Sequence, residues 1–441
     1  MNLKINPLFL FFGYGIVFFP LLLLIGPLFS ELFLISVIIF SLFYIIKEKK
    51  EIFYKNKFSI FFLLFYISTI YSTLLNYYNL DLSISGIFYF RVLLFSFSIW
   101  FVLENLDIFN KKTIFFYNLF FLLIIFDSLL QFYSGKNLLN YEIVSSRISS
   151  FFGEELILGS FILRILPFFL LFLVMCNDLS TNKKNIYYAT IISLACYVIY
   201  LSGERTSFGL LILYFFTLFF MSSHLRKFIS IIIIIFLALS VTLPNFKNSN
   251  QINPANRMFV KSYNQIIGKN VGAEKHEEFK KKFFDKIYVF SHDHQGHYML
   301  SYKIYKDHMI SGTGPKGFRY LCRNKIYILE NNDGCSTHPH NTYIQILVSN
   351  GLIGFFLLIF AFIYISKEIF VCRKKMKDDV IYNKKEISKA ILISAIFINL
   401  WPLIPSGNFF NNWLSMLYFY PIGFYLYFKH QIGRASCRER V

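Results

Sequence analysis

The sequence predicts an all-α integral membrane protein with about twelve transmembrane helices and one long outer loop. Three observations carry this. Apolar residues fill 56% of the 441 positions, and apolar runs near the length of a bilayer crossing recur along the chain. Lysine and arginine fall in short clusters between those runs. The formal charge of +19 therefore reads as what orients a membrane protein, not as a nucleic-acid footprint. Nucleic acid is excluded as a partner, and membrane lipid is the expected surrounding.

Taken in order, apolar runs that end at charge clusters place helices at residues 7–25, 28–46, 58–76, 84–103, 113–133 and 157–176. The second half adds 186–202, 207–222, 228–243, 343–366, 388–405 and 411–428. The chain thus divides into nine transmembrane helices over 1–243, a loop over 244–342 and three more helices over 343–431. The first run lacks a small-residue cleavage site, so no cleavable signal peptide is expected. Residues 432–441, "IGRASCRERV", are polar and basic, unlike what precedes them. They look like a sequencing adapter read in frame and are set aside, Cys437 included.

Orientation follows from the loops. One alternate set, "KEKKEIFYKNK", "NKK", "TNKK", "HLRK" and "CRKKMKDDVIYNKK", is basic throughout and is expected in the cytoplasm. The other contains "IGP", "NYYNLDLS", Ser134 to Glu155, "SGERTS", the loop 244–342 and "PSGNFFNN". It is poorer in clustered lysine except in the long loop, whose length exempts it from the rule. This second set is expected on the outer, periplasmic face, with both termini inside.

The unusual polar residues then share one face. Arg205 sits in the tight turn "SGERTSFG", and Arg147 and the Glu154–Glu155 pair precede the sixth helix. The long loop holds seven of the nine histidines and delivers His338 and His340 to the tenth helix. Arg91 and Arg164 lie about two helical turns inside the outer ends of their helices. An arginine at the bilayer centre costs about 2.5–3.5 kcal/mol on the insertion scale, so it usually faces a cavity or a partner. Snorkelling to the interface is the alternative for each alone; several arginines on one face favour an anion pocket.

Other motifs weigh less. "GTGPKG" (312–317) matches G-x-G-x-x-G, but no βαβ pattern surrounds it and Pro315 interrupts it, so a tight loop leading to "FRYLC" is the better reading. "SHDHQGH", with His292, Asp293, His294 and His297, lacks a regular ligand framework, and a solvated histidine-rich loop is expected there instead of a metal site. Asp127, Glu154 and Glu155 form no evident DxD-type site, so neither a metal nor another cofactor is expected. Cys322 and Cys335 share the long loop in an oxidising compartment and are candidates for a disulfide. Its closure would contribute ~3 kcal/mol and restrain the segment ahead of His338. In "CSTHPHNTYIQ", Pro339 stiffens the turn, Asn341 adds a donor and an acceptor beside His340, and an imidazole is the natural general base near neutral pH. Two inert interface histidines remain the alternative on these residues alone.

The long outer loop, "HPHNTYIQILVSNGLIGF" and "SGERTSFG" together resemble the O-antigen ligase and O-antigen polymerase superfamily. "SRISSFFGEELILGSFILRILP" and "GTGPKGFRYLC" are similar to other recurring stretches of its members. The resemblance implies a C-type glycosyltransferase-like helical fold in the bacterial inner membrane, acting on glycans carried by undecaprenyl diphosphate at the periplasmic face. It implies a metal-independent, inverting transfer with His340 as base and Arg205 as diphosphate ligand; His338 and Asn341 support, and Arg147, Arg164 and Arg91 are further candidate cations. The acceptor would be lipid A–core for a ligase or a growing carrier-linked glycan for a polymerase. One long loop between the ninth and tenth helices leans towards the ligase. A polysaccharide transporter or flippase is the rival class; it would place ionisable residues near the midplane and pair broken helices between two halves.

Overall fold

The computed structural model describes residues 7–76, 80–176, 182–242, 254–260, 263, 292–328, 334–378 and 383–438. The twelve predicted apolar runs fall largely on helix, except that 84–103 is divided between two helices and 388–405 runs past the end of its helix at Asn399. The first half comprises α1 Pro7–Ile25, α2 Pro27–Lys47, α3 Lys57–Leu75, α4 Leu80–Ile87, α5 Phe90–Asn105 and α6 Lys111–Ser134. Then follow α7 Leu158–Cys176, α8 Asn182–Leu201, α9 Arg205–Met221 and α10 Arg226–Thr242. The long loop carries α11 His292–Asp307 and α12 Gly317–Leu321, and the chain ends in α13 Thr342–Asp378, α14 Lys384–Asn399 and α15 Asn412–Arg438. No strand occurs among the described residues. The helix α15 runs on through Arg434, which pairs with Glu104 at 3.1 Å, so part of the stretch set aside as adapter-derived is helical.

Among the described residues eight helical segments are long and apolar enough to cross a membrane, against the twelve expected. The difference has a simple origin. α9 and α10 are 17 residues long and α14 is 16, while the 27-residue α15 is diluted by Tyr418, Tyr420, Tyr425 and Tyr427. Asparagines start the helices that leave the basic loops. Asn56 accepts from the Ser59 amide at 3.0 Å, Asn110 from Lys112 at 3.0 Å, and Asn383 from Lys385 at 3.0 Å, each satisfying an orphan donor of a first turn.

Burial ranks the helices. In α7, 83% of the apolar window is buried against 33% in α3, so α7 is central and α3 peripheral. α14 is the second central helix, packed against α7, α9, α13 and α15. The two alternate sets of loops gather at opposite ends of this bundle. At one end Lys50 reaches Asn105 at 3.4 Å, Glu104 pairs with His430 at 2.6 Å, and Glu368 pairs with Lys389 at 3.0 Å. At the other, the 135–157 segment meets the 202–205 turn, and Arg91 joins Glu31 to Asn412.

The long loop is not wholly peripheral. The stretch expected as a solvated histidine-rich loop is the start of α11, which packs with α12 against α13 through Leu300, Ile304, Phe318, Cys322, Tyr327 and Val348. Between α11 and α12 the backbone docks into a break in α13. Thr313 N donates to Val348 O, Gly314 N to Ser349 O and Leu352 N to Met309 O, all at 2.9 Å. The break is Gly351, at φ 64° and ψ −164°, where a Cβ would lie 2.3 Å from Ile310 O; only glycine fits. A polar stripe on α3 closes the seam: Asn350 donates to Thr69 Oγ1 at 2.7 Å, and Gly314 N donates to Ser72 Oγ at 2.8 Å. Irregular backbone at such a depth persists because protein, not lipid, satisfies it.

Candidate active site

Two polar centres lie at the end of the bundle that carries the second set of loops. The first is built on the turn between α8 and α9, where Gly203 has φ 69°. Glu204 is its hub. One carboxylate oxygen accepts from Gly159 N at 2.7 Å, the other from Ser160 N at 3.0 Å and from Ser207 Oγ at 2.9 Å. The carboxylate thus sits on the N-terminal amides of α7, where the helix dipole favours negative charge. Arg147 lies 3.6 Å from it and donates to Ser202 O at 3.0 Å and Leu156 O at 3.1 Å. Arg257 donates to Gly203 O at 3.2 Å and to Ser145 O at 3.5 Å. Arg205 opens α9 beside them, exposed at the surface.

Three guanidiniums therefore crowd one carboxylate. Burial pulls the Arg147 pKa down from its ordinary value; Glu204 opposes this, and Arg257 and Arg205 add to it. Arg257 is lowered by burial and then by Arg205. Burial raises the Glu204 carboxyl, against the pull of Arg147 and its hydrogen bonds. The centre carries excess positive charge that a bound anion would relieve. Neither Glu204 nor Arg257 was singled out from the sequence; the "GER" order, which puts a carboxylate beside the turn arginine, was the available signal for the first.

Arg164 lies one turn inside α7 from Ser160, donates to Ser160 O at 2.9 Å, contacts the Ser160 hydroxyl and stands over the Tyr418 ring at 5.4 Å. Its Nε is buried without a partner among the described residues. Arg91 is differently placed: it holds Glu31 through two bonds, at 3.0 and 3.2 Å, and Asn412 at 2.7 Å, which occupies its fork. Asp127 is fully buried and accepts from Leu138 N at 2.9 Å, so it serves the fold of the 135–157 segment, while Glu154 and Glu155 are exposed.

The second centre is a cluster of imidazoles. The His340 ring lies 4.0 Å from His338, 5.1 Å from His297 and 5.5 Å from His294, centroid to centroid. Cys322 and Cys335 are joined with their Cα atoms 5.1 Å apart, tying α12 to the strap that leads into the cluster. Asn341 caps α13: its oxygen accepts from Tyr343 N at 3.0 Å and Ile344 N at 3.1 Å, and its amide donates to Pro402 O at 2.8 Å. His340, held in the left-handed region at φ 57°, is pinned by Ser406 N donating to its carbonyl at 2.8 Å. Such a conformation costs about 1–3 kcal/mol in a non-glycine residue, and the flanking bonds enforce it.

Hydrogen bonding separates the two histidines of the "HPHN" segment. The Ser406 carbonyl can only accept, so His338 donates to it from Nε2 at 3.3 Å, and its Nδ1 accepts from the Thr337 hydroxyl at 2.9 Å. Neither nitrogen has a lone pair to spare. His340 shares Nε2 with the Ser336 hydroxyl at 3.2 Å, and a hydroxyl can give or take. His340 can therefore accept a proton where His338 cannot. Burial lowers both pKa values, His338 to about 4 and His340 to about 3, with neighbouring imidazoles adding to the shift. Both are neutral at pH 7. Among the described residues no group of three or more His, Cys, Asp or Glu is arranged to hold a metal ion.

A shared wall connects the centres. Asn341 also reaches Ile404 O at 3.5 Å, and the Ile404 side chain lies 3.8 Å from where a Cβ of Gly209 would stand, one helical turn along α9 from Arg205. Residues 190–359 match the family model described as O-antigen ligase. This segment is similar to O-antigen ligases. It spans Glu204, Arg205, Arg257, Arg319 and both histidines of the "HPHN" segment, and leaves Arg91, Arg147 and Arg164 outside. The family is one of O-antigen ligase or polymerase-type membrane glycosyltransferases. No curated protein matches the chain.

Proposed function

We propose that this protein transfers a glycan from undecaprenyl diphosphate to an acceptor hydroxyl at the periplasmic face of the bacterial inner membrane, as an O-antigen ligase acting on lipid A–core. The observation that carries the reading is the pairing, within a ligase-like segment and Arg147 beside it, of a neutral imidazole able to take a proton with a guanidinium cluster in excess over its carboxylate. His340 is the base and Arg205 the diphosphate ligand, with Arg147, Arg257 and Arg164 reinforcing the positive field. Arg91, engaged by Glu31, serves the bundle instead.

The acceptor oxygen bonds to the anomeric carbon as the bond from that carbon to the diphosphate oxygen breaks. The electron pair leaves with the diphosphate, and the hydroxyl proton passes to His340; a single displacement of this kind inverts the anomeric centre. The leaving group is already good, so the demand is for cations to hold it and a base to sharpen the nucleophile. Burial and the neighbouring imidazoles keep His340 weakly basic; a diphosphate beside it would raise its pKa towards the useful range by its negative charge. The guanidiniums supply the positive charge directly, with forks that match phosphate oxygens.

The test is His340→Ala or Arg205→Ala in a strain lacking the native gene. Surface polysaccharide at normal levels would sink this assignment. A lipopolysaccharide gel separates the acceptors: loss of a ligase leaves bare core with polymer stranded on the carrier, while loss of a polymerase leaves one repeat on the core.

A further inference from the structure

A further cation, Arg319, acts on the histidine centre. Arg319 lies on α12, one helical turn before Cys322, and the Cys322–Cys335 bond ties that turn to the strap three residues ahead of His338. Phe318 and Cys322 on either side are buried in the small core beneath α11 and α13, which fixes the turn that bears Arg319. Among the described residues the buried Arg319 Nε has no hydrogen-bond partner. Its charge acts on His338, helping to hold that imidazole neutral. An unpaired donor of this kind is costly in a folded protein unless something arrives to use it.

We infer that Arg319 is an anion-binding residue of the histidine centre, holding a phosphate group of a lipid-linked substrate beside His338 and His340. This rests on the transfer reading above and extends it. The turn at Gly203 and the disulfide-tied α12 then offer two separate anion positions, one on α8–α9 and one next to the base. Guanidinium chemistry selects phosphate in both. The phosphate at Arg319 belongs either to the donor diphosphate or to a phosphorylated acceptor, and kinetics distinguish the two.

The experiment uses the purified full chain with Arg319→Gln and Arg319→Lys. Binding of undecaprenyl diphosphate and of lipid A–core is titrated separately in detergent, and transfer is measured with each substrate varied in turn. R319Q is expected to weaken one lipid about tenfold to a hundredfold, the scale of a lost charge-assisted hydrogen bond, and to raise the matching KM while sparing the other. R319K should fall between. Weakened undecaprenyl diphosphate assigns the donor; weakened lipid A–core assigns the acceptor. A merely structural role would lower the active fraction and kcat with both KM values unchanged, and would overturn the inference. Unchanged affinity for both lipids overturns it too, and if R319Q does not fold, R319K carries that comparison. Failure of the transfer reading shows differently: transfer persists in His340→Ala whatever Arg319 does.

Discussion

Glu204→Gln is the sharpest probe of the first centre. The substitution keeps shape and removes one charge. Its carboxylate faces two α7 amides, where a negative group contributes about 0.3–1 kcal/mol through the helix dipole, and up to ~2 kcal/mol when partly buried. At 3.6 Å from Arg147, the gross Coulomb attraction is ~4–5 kcal/mol for an effective dielectric near 20. Little of that is net, because both ions pay desolvation and Arg147 retains its bonds to Ser202 O and Leu156 O. A glutamine oxygen can still serve one amide, while its NH₂ faces the donor at the other. The expected loss is on the order of 2–3 kcal/mol of unfolding free energy. Unfolding with a denaturing detergent in mixed micelles would measure it for the single variants E204Q and R147M and for the double variant. The double variant should resemble R147M, with a coupling of about 1–3 kcal/mol. Coupling below ~0.5 kcal/mol would show that Glu204 does not organise the guanidiniums and refute the reasoning.

Three further outcomes follow from the geometry. His338 and His340 have folded pKa values of about 4 and about 3, below the ordinary histidine value, so the unfolded chain binds more protons as pH falls. Stability is therefore unaffected above about pH 6.5 and declines below it by up to ~1.4 kcal/mol per pH unit for each imidazole; replacing both with Gln should flatten the acid limb of a stability–pH curve. Replacing Cys322 and Cys335 with Ser should cost up to ~3 kcal/mol and slow transfer, and reductant should do the same to the wild type but not to the variant. Gly351→Ala sets a methyl against Ile310 O in a glycine-only conformation, and a loss of at least ~2 kcal/mol should appear as a lower melting midpoint.

The helices were legible because burial by lipid or protein imposes long apolar runs, and because charge clusters mark where they start and stop. The "HPHN" segment was legible because histidines are costly beside a membrane helix. What the pattern could not contain was pairing across the fold. Glu204 meets Gly159 from 45 residues away, and Arg257 reaches Ser145 across 112; nothing local to either residue encodes the partner. The "SHDHQGH" stretch read as loop because its polar start hides the apolar side of α11, visible only once Leu300 and Ile304 find Phe318. Helices such as α14 are buried by neighbours, so their length need not match a bilayer and length alone does not count the crossings.

The docking of Met309–Gly314 into α13 has a consequence for how the sequence can change. The contacts there are mostly main chain to main chain, and such bonds do not care which side chains their residues bear. Side-chain identity is therefore fixed at Gly312, Gly314 and Gly351, which take positive φ, while the other main-chain-bonded positions depend on spacing. One residue inserted or removed between Met309 and Gly314 would shift every donor off its acceptor, and with it the turn that carries Arg319. The segment that leads into α12 is specified by its length as well as by its glycines.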